Sequence, residues 1–175
     1  MTIVYKLTDQ NMQTHNGYQW TLNVKHTASG EGELCGPGWL HAYTHPLLAV
    51  LLKFLLSDIE DPRLFEGEGT IGKTNKGLKV GCTELTLTKE LELPVITTEQ
   101  RVRFAILCAK KMRENKAWNK WADNWLSGKD RSIKSALAAA RKAASNAGEA
   151  AERAARAADI DLIAIAKEAV YGNHP

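Results

Sequence analysis

Three cysteines in 175 residues, at positions 35, 82 and 108, supply neither an even set for a disulfide framework nor the paired spacing of a metal knuckle. No apolar run is long enough to cross a bilayer. The longest, 46–56, is interrupted by Lys53 and falls well short of the roughly 20 residues that a spanning helix needs. Net charge is also scarce: 23 basic against 20 acidic side chains leave +3, too little for a general affinity for nucleic acid. The first ten residues, MTIVYKLTDQ, lack a basic stretch followed by an apolar one, so no secretory signal is expected. These absences point to a soluble, cytoplasmic chain that makes no use of a membrane. What is present is ordinary for a globular protein, with 44% hydrophobic and 25% charged residues. That is enough for one well-buried core, with or without a helical appendage.

The composition changes near Pro94. Before it lie short β-prone runs, glycines and turns. Ile3–Thr8 and Tyr18–His26 alternate enough to be strands, with Asn16-Gly17 between them as a hairpin signal. Pro46 opens a helix, because its missing N–H costs nothing in the first turn. Arg63–Gly72 and Leu78–Leu87 are two further strands joined by Asn75-Lys76-Gly77. After Pro94 the pattern is helical. Thr97 and Gln100 fit a capping box, and Val102, Ala105, Ile106 and Ala109 give the following helix an apolar face. Trp118, Trp121 and Trp125 share one face of the next, where packing onto a core outweighs a base-stacking role. Between 136 and 158, 13 of 23 residues are alanine, which favours a helix that packs or self-associates over one that binds a phosphate backbone. A last helix over 159–170 is expected to be capped by Asp159, with its stripe at Ile160, Ile163, Ala164 and Ala166. We therefore expect an α+β fold: a small, mostly antiparallel β-sheet with one packed helix over 1–94, then an all-helical region over 95–175.

The densest chemistry lies in 33–56, ELCGPGWLHAYTHPLLAVLLKFLL. Gly36-Pro37-Gly38 forces a bend and allows close approach to the backbone. If the next residues are a strand, Trp39, His41 and Tyr43 point to one face, with Leu40 and Ala42 to the other. Such a row, with His45, could hold a planar ring and its ribose hydroxyls, or could simply be packed. A metal held by His41 and His45 with Cys35 and His26 lacks any supporting ligand pattern. Cys35 as nucleophile with His41 as base lacks an orienting third group. Glu66 and Glu68 share a face of their strand, flanked by Gly67 and Gly69. They suit a general-base or ribose-gripping pair with room for a ligand, or a charged strand edge that resists aggregation. The segment 72–81, with Lys73, Lys76 and Lys79, lacks P-loop spacing but would suit an anion-contacting hairpin.

The run LCGPGWLHAYTHP with its apolar helix, followed by RLFEGEGTIG and GLKVGCTELTL, resembles an uncharacterised domain family of bacteriophage and prophage proteins. The matching positions are Cys35, Gly38, His41, Pro46, Leu47, Phe65, Glu66 or Glu68, and Gly69. Leu40 departs from the family pattern by standing between the aromatic Trp39 and His41. The resemblance spans roughly residues 15–95, and the alanine-rich tail fits it. It implies a viral accessory protein of the host cytoplasm but no activity. We expect a non-enzymatic binding protein that counteracts a host defence system, by docking on a host defence protein or sequestering a nucleotide-like small molecule. Its candidate ligand-binding residues are Trp39, His41, Tyr43, His45, Glu66 and Glu68. No catalytic residue, metal or cofactor is assigned, and a homo-oligomer is expected. One alternative is an ADP-ribosyltransferase-like enzyme, with His41 and Tyr43 on NAD and Glu66 or Glu68 stabilising the oxocarbenium charge. Another is an assembly protein that oligomerises through the alanine-rich helix.

Overall fold

The computed structural model describes residues 1–53, 59–75, 77–111, 116–130, 132, 135 and 160–172. The alanine-rich segment, Lys76 and residues 54–58 lie outside the described residues. The chain divides into two compact units, Met1–Val95 and Ile96–Pro175.

The first unit is built on an antiparallel sheet. Its strands are β1 (Thr2–Thr8), β4 (Lys25–Thr27), β5 (Leu40–Ala42), β6 (Arg63–Thr74) and β7 (Val80–Leu91), hydrogen-bonded in the order β1-β6-β7-β4 with β5 also on β7. A separate small hairpin joins β2 (Gln13–Thr14) to β3 (Tyr18–Gln19). Its three-residue turn, His15–Gly17, places Asn16 and Gly17 at positive φ (59° and 68°), the left-handed region that Gly and Asn enter most readily. The hairpin signal is therefore real, but it links two short strands rather than 3–8 and 18–26. Residues 18–26 do not form one strand: only Tyr18–Gln19 and the three-residue β4 are extended, and Asn23, at φ 59°, turns the chain between them.

The sheet returns on itself. β5 lies along β7, pairing Leu40 with Cys82 and Ala42 with Val80. One residue beyond β5, Tyr43 exchanges both backbone hydrogen bonds with Tyr5 of β1, each 2.8 Å. β1, β6, β7 and β5 thus close into a ring, which leaves fewer unpaired strand edges. Side chains alternate across this ring. Val4, Phe65, Leu85, Leu87, Cys82, Leu40, Ala42 and Val80 face inward and pack with Trp20 as one core cluster. Tyr5, Glu66 and Glu68 take the opposite phase. α1 (Pro46–Leu51) packs on β1 and buries Leu47, Leu48, Ala49, Val50 and Leu51.

The described elements of the second unit are three helices, α2 (Thr98–Lys110), α3 (Lys116–Leu126) and α4 (Leu162–Tyr171). The capping box is present: Gln100 N–H donates to Thr97 Oγ1 (3.2 Å), and Thr97 N–H donates to Gln100 Oε1 (2.7 Å). α2 packs against both α3 and α4, so it buries Phe104, Ala105, Ile106 and Cys108 rather than a single stripe. Trp125 is buried with Ala122 and Ile106, and Trp118 and Trp121 pack half-buried against that cluster. Asp161, not Asp159, caps α4 by accepting from Ala164 N–H at 2.9 Å. The stripe it buries is Leu162, Ile165, Ala166 and Ala169.

Candidate functional site

Gly38 permits the bend before β5, but its space is taken by protein: a Cβ there would lie 2.1 Å from the Glu31 carbonyl oxygen. The loop from Gly30 to Gly38 is stapled over the outside of β5 and β7. Gly30 N–H donates to the Gly38 carbonyl (2.9 Å), and both Trp39 Nε1–H and Lys73 Nζ donate to the Gly32 carbonyl, at 3.2 and 3.0 Å. Trp39 is only 9% exposed, and its indole lies where side chains on Gly72 and Gly81 would otherwise stand. These glycines admit an aromatic ring of the chain itself.

His41 is half-buried, and its Nε2 meets the Leu34 carbonyl. A carbonyl only accepts, so Nε2 carries the proton and Nδ1 is the acceptor. Burial, reinforced by Lys79 and Lys6, holds this imidazole below its usual pKa although the Leu34 bond opposes them. His41 is therefore neutral near pH 7. Cys35 is exposed and takes its contact from Lys79, whose Nζ lies 3.2 Å from Sγ. His45 is the N-cap of α1, its Nδ1 accepting from Leu47 N–H at 3.2 Å. His26 bonds instead with the Tyr18 phenol, Oη to Nδ1 3.1 Å. The four potential metal ligands His26, Cys35, His41 and His45 thus have four separate sets of partners. Among the described residues no group of three or more His, Cys, Asp or Glu converges as a metal site would.

Tyr43 and Glu66 are brought near one another through a residue absent from the sequence-derived set. Tyr5 is bridged to Tyr43 on one side and is in register with Glu66 on the other, and Glu66 is in register with Lys89 of β7. One step along, Glu68 stands between Ile3 and Thr86. Tyr43 is 8% exposed, and burial pushes its phenol up to about 12. The Tyr5 phenol is also raised, first by burial and then by the neighbouring Glu66 carboxylate. Both phenols are therefore protonated donors near neutral pH. The backbones of Tyr43 and Glu66 lie two strand spacings apart, roughly 10 Å.

Gly67 and Gly69 do not open room for a ligand beside the glutamates. They face the opposite side of β6, where a Cβ would come within 2.4 Å of the Thr86 carbonyl oxygen and 2.8 Å of Cys82 Sγ respectively. Their smallness allows the ring to close. Of the six candidates, Glu68 is exposed, Glu66, His41 and His45 are half-exposed, and Trp39 and Tyr43 are packed away.

The sequence reading also missed Lys6, which lies inside the ring at 7% exposure. Its Nζ donates to the His41 carbonyl at 2.6 Å and stands 4.5 Å from the centre of the Trp20 indole. Burial lowers its pKa from 10.5 to about 8, with Cys82 opposing the shift. The strand's two-residue period was a usable signal, since it places Lys6 in phase with the inward Val4.

Neither a curated protein nor a solved structure matches the chain. No helix among the described residues is long and apolar enough to cross a membrane. Residues 2–99 match the family described as a domain of unknown function, DUF7666, and because the match spans more than half of the sequence and holds every strand of the ring, the chain belongs to that uncharacterised family.

Proposed function

We propose that this chain is a non-enzymatic binding protein of the phage accessory kind, acting in the host cytoplasm by docking on a host defence protein. The docking face is the outer side of β1 and β6. The observation that carries this reading is the row Tyr43–Tyr5–Glu66, with Ile3 and Glu68 alongside. Of the sequence-derived set, the residues left accessible on this face are carboxylates, not aromatic rings. Glu66 and Glu68 would repel the phosphates of a nucleotide, and the packed Trp39 and Tyr43 cannot clasp a base. A protein surface offering a basic side chain beside an apolar one suits Glu66, Glu68, Tyr5 and the 47%-exposed Ile3. The alanine-rich segment completes the proposal as a self-association element of a homo-oligomer.

Two measurements on the intact protein test the reading. The first is mass spectrometry of small molecules released on denaturation, with a native-mass run alongside. It should find no nucleotide and a defined oligomer, whereas stoichiometric nucleotide would move the reading to ligand sequestration. The second is incubation with labelled NAD and host lysate, which should transfer no label. Transfer that is lost in Glu66→Gln or Glu68→Gln would establish the ADP-ribosyltransferase alternative instead.

A further inference from the structure

Four side chains that the docking face does not use form a stack on the inner side of the sheet. The Trp20 indole is 2% exposed and donates its Nε1–H to Thr14 Oγ1 at 3.0 Å. The Lys6 ammonium lies 4.5 Å from its ring centre, and the His26 imidazole, centroid to centroid, is also at 4.5 Å. Tyr18 touches both rings, at 5.2 Å from Trp20 and 5.6 Å from His26, and its hydroxyl bonds His26 Nδ1. His26 Nε2 is buried and has no hydrogen-bond partner among the described residues.

The charges around this stack are all of one sign. Lys6, from β1, is largely protonated near pH 7. Among the described residues, the groups that bear electrostatically on Lys6 and His26 are one another, Cys82 of β7 and His41 of β5. Burial pushes the Cys82 thiol up to about 11, so it is neutral, and His41 is neutral too. Lys25, beside His26, is in register with Thr86 and pairs with Glu84 at 2.9 Å. Among the described residues, therefore, no carboxylate compensates a second cation against the indole. Protonating His26 sets that cation beside Lys6, makes donors of both ring nitrogens, and leaves Nε2–H as a buried charged donor.

The element holding His26 is the part of the sheet best able to yield. β4 has three paired residues and lies at the end of the strand order. Among the described residues its neighbours add Ala28 N–H to the Thr83 carbonyl and Asn23 N–H to the Leu87 carbonyl, each 2.8 Å, while Tyr18–Trp20 are held to the β2 hairpin and not to β7. The twelve-residue β6 and β7, by contrast, pair along most of their length.

We propose that His26 is an acid latch: its protonation releases residues 22–27 of the segment 18–27 from β7 and uncovers Trp20, while the ring of β1, β6, β7 and β5 stays closed. The segment already exposes Tyr18, Leu22 and Val24, so its release adds a buried indole to an apolar surface. The sign follows from linkage. Burial first, and Lys6 second, lower the imidazole below its ordinary 6.5. The latch is fully set above 6.5 and is lost as pH falls from there through the lowered folded-state value.

Amide hydrogen exchange of the intact protein, corrected for intrinsic rates, tests this between about pH 7.5 and 5. Protection of 18–27 should fall by up to about tenfold per pH unit within the window, the yield of one proton. Protection of β6 and β7 should hold, and His26→Phe, which keeps a ring but cannot titrate, should flatten the response. Three outcomes would overturn the latch: protection of 18–27 that ignores pH, the same fall in His26→Phe, or parallel loss from β6 and β7. Should His26→Phe fail to fold, an NMR titration of His26 in the unaltered protein decides the matter, since a value at or above 6.5 also overturns it.

Discussion

Replacing Gly67 by alanine adds one methyl group on β6 against the backbone of β7. The ideal Cβ would stand 2.4 Å from the Thr86 carbonyl oxygen and 3.2 Å from Leu87 Cα. Real side-chain carbons essentially never come within 3.0 Å of such an atom. The strands must therefore part by more than half an ångström at a register shift between Glu66 and Gly67, where the pairing is already irregular. Both colliding atoms are backbone, so no rotamer change relieves the overlap. Overpacking of one methyl group in a tight site costs about 1–3 kcal/mol, and the backbone collision sets this case at the upper end. A cost of about 3 kcal/mol lowers the exchange protection of the β6 and β7 amides by about a hundredfold. Gly17→Ala is the matched control: it has nothing within 4 Å and suffers only its φ of +68°, a penalty of about 1 kcal/mol. Amide exchange read on β6 and β7 reports the first unit alone. If Gly67→Ala cost no more than Gly17→Ala, the argument that these glycines exist to close the ring would be wrong.

Lys6 should make the first unit more stable as pH rises from about 8 to 9, because over that span the unfolded chain keeps a proton that the folded chain has released. Beyond the ordinary thiol value of 9.0 the rise levels off, since burial raises Cys82 of the same unit to about 11 and its proton offsets that of Lys6. Denaturant midpoints across this range should show the rise in the parent chain and its absence in Lys6→Met. His45→Ala removes the cap on Leu47 N–H and should cost about 1 kcal/mol, measured by chemical denaturation. Glu66→Gln removes the carboxylate that raises the Tyr5 phenol, so the ultraviolet titration of Tyr5 should move to lower pH; no movement would refute their coupling and weaken the proposed docking row. Arg63→Ala breaks a two-pronged pair with Glu90 (2.8 and 2.6 Å) at the surface, where water and salt screen it, so the denaturant midpoint should barely move.

Much of the fold was legible because it is local. The two-residue period of Ile3–Thr8 and Arg63–Gly72, the Pro46 start and the Thr97/Gln100 box all act over a few residues, and each marks the element it should. The same period placed Leu40 and Ala42 in the core and set Trp39, His41 and Tyr43 in the opposite phase. Whether that opposite side was open or covered could not be read from the sequence. Burial of Trp39 depends on a loop stapled from Gly30 to Gly38 and on Gly72 and Gly81, which lie more than thirty residues away in the chain.

What the sequence determined by itself, then, was the secondary structure that its short-range chemistry dictates and the residues able to carry chemistry. Tertiary structure alone decided which of them meet. Tyr5 joins Tyr43 and Glu66 only because the ring closes through one pair of backbone hydrogen bonds, and Lys6 meets Trp20, His26 and Cys82 only in its interior. The physical reason is that exposure and charge environment are set by neighbours distant in sequence. A lysine in phase with an apolar face and a lysine on a solvated strand look alike until the opposite wall is in place.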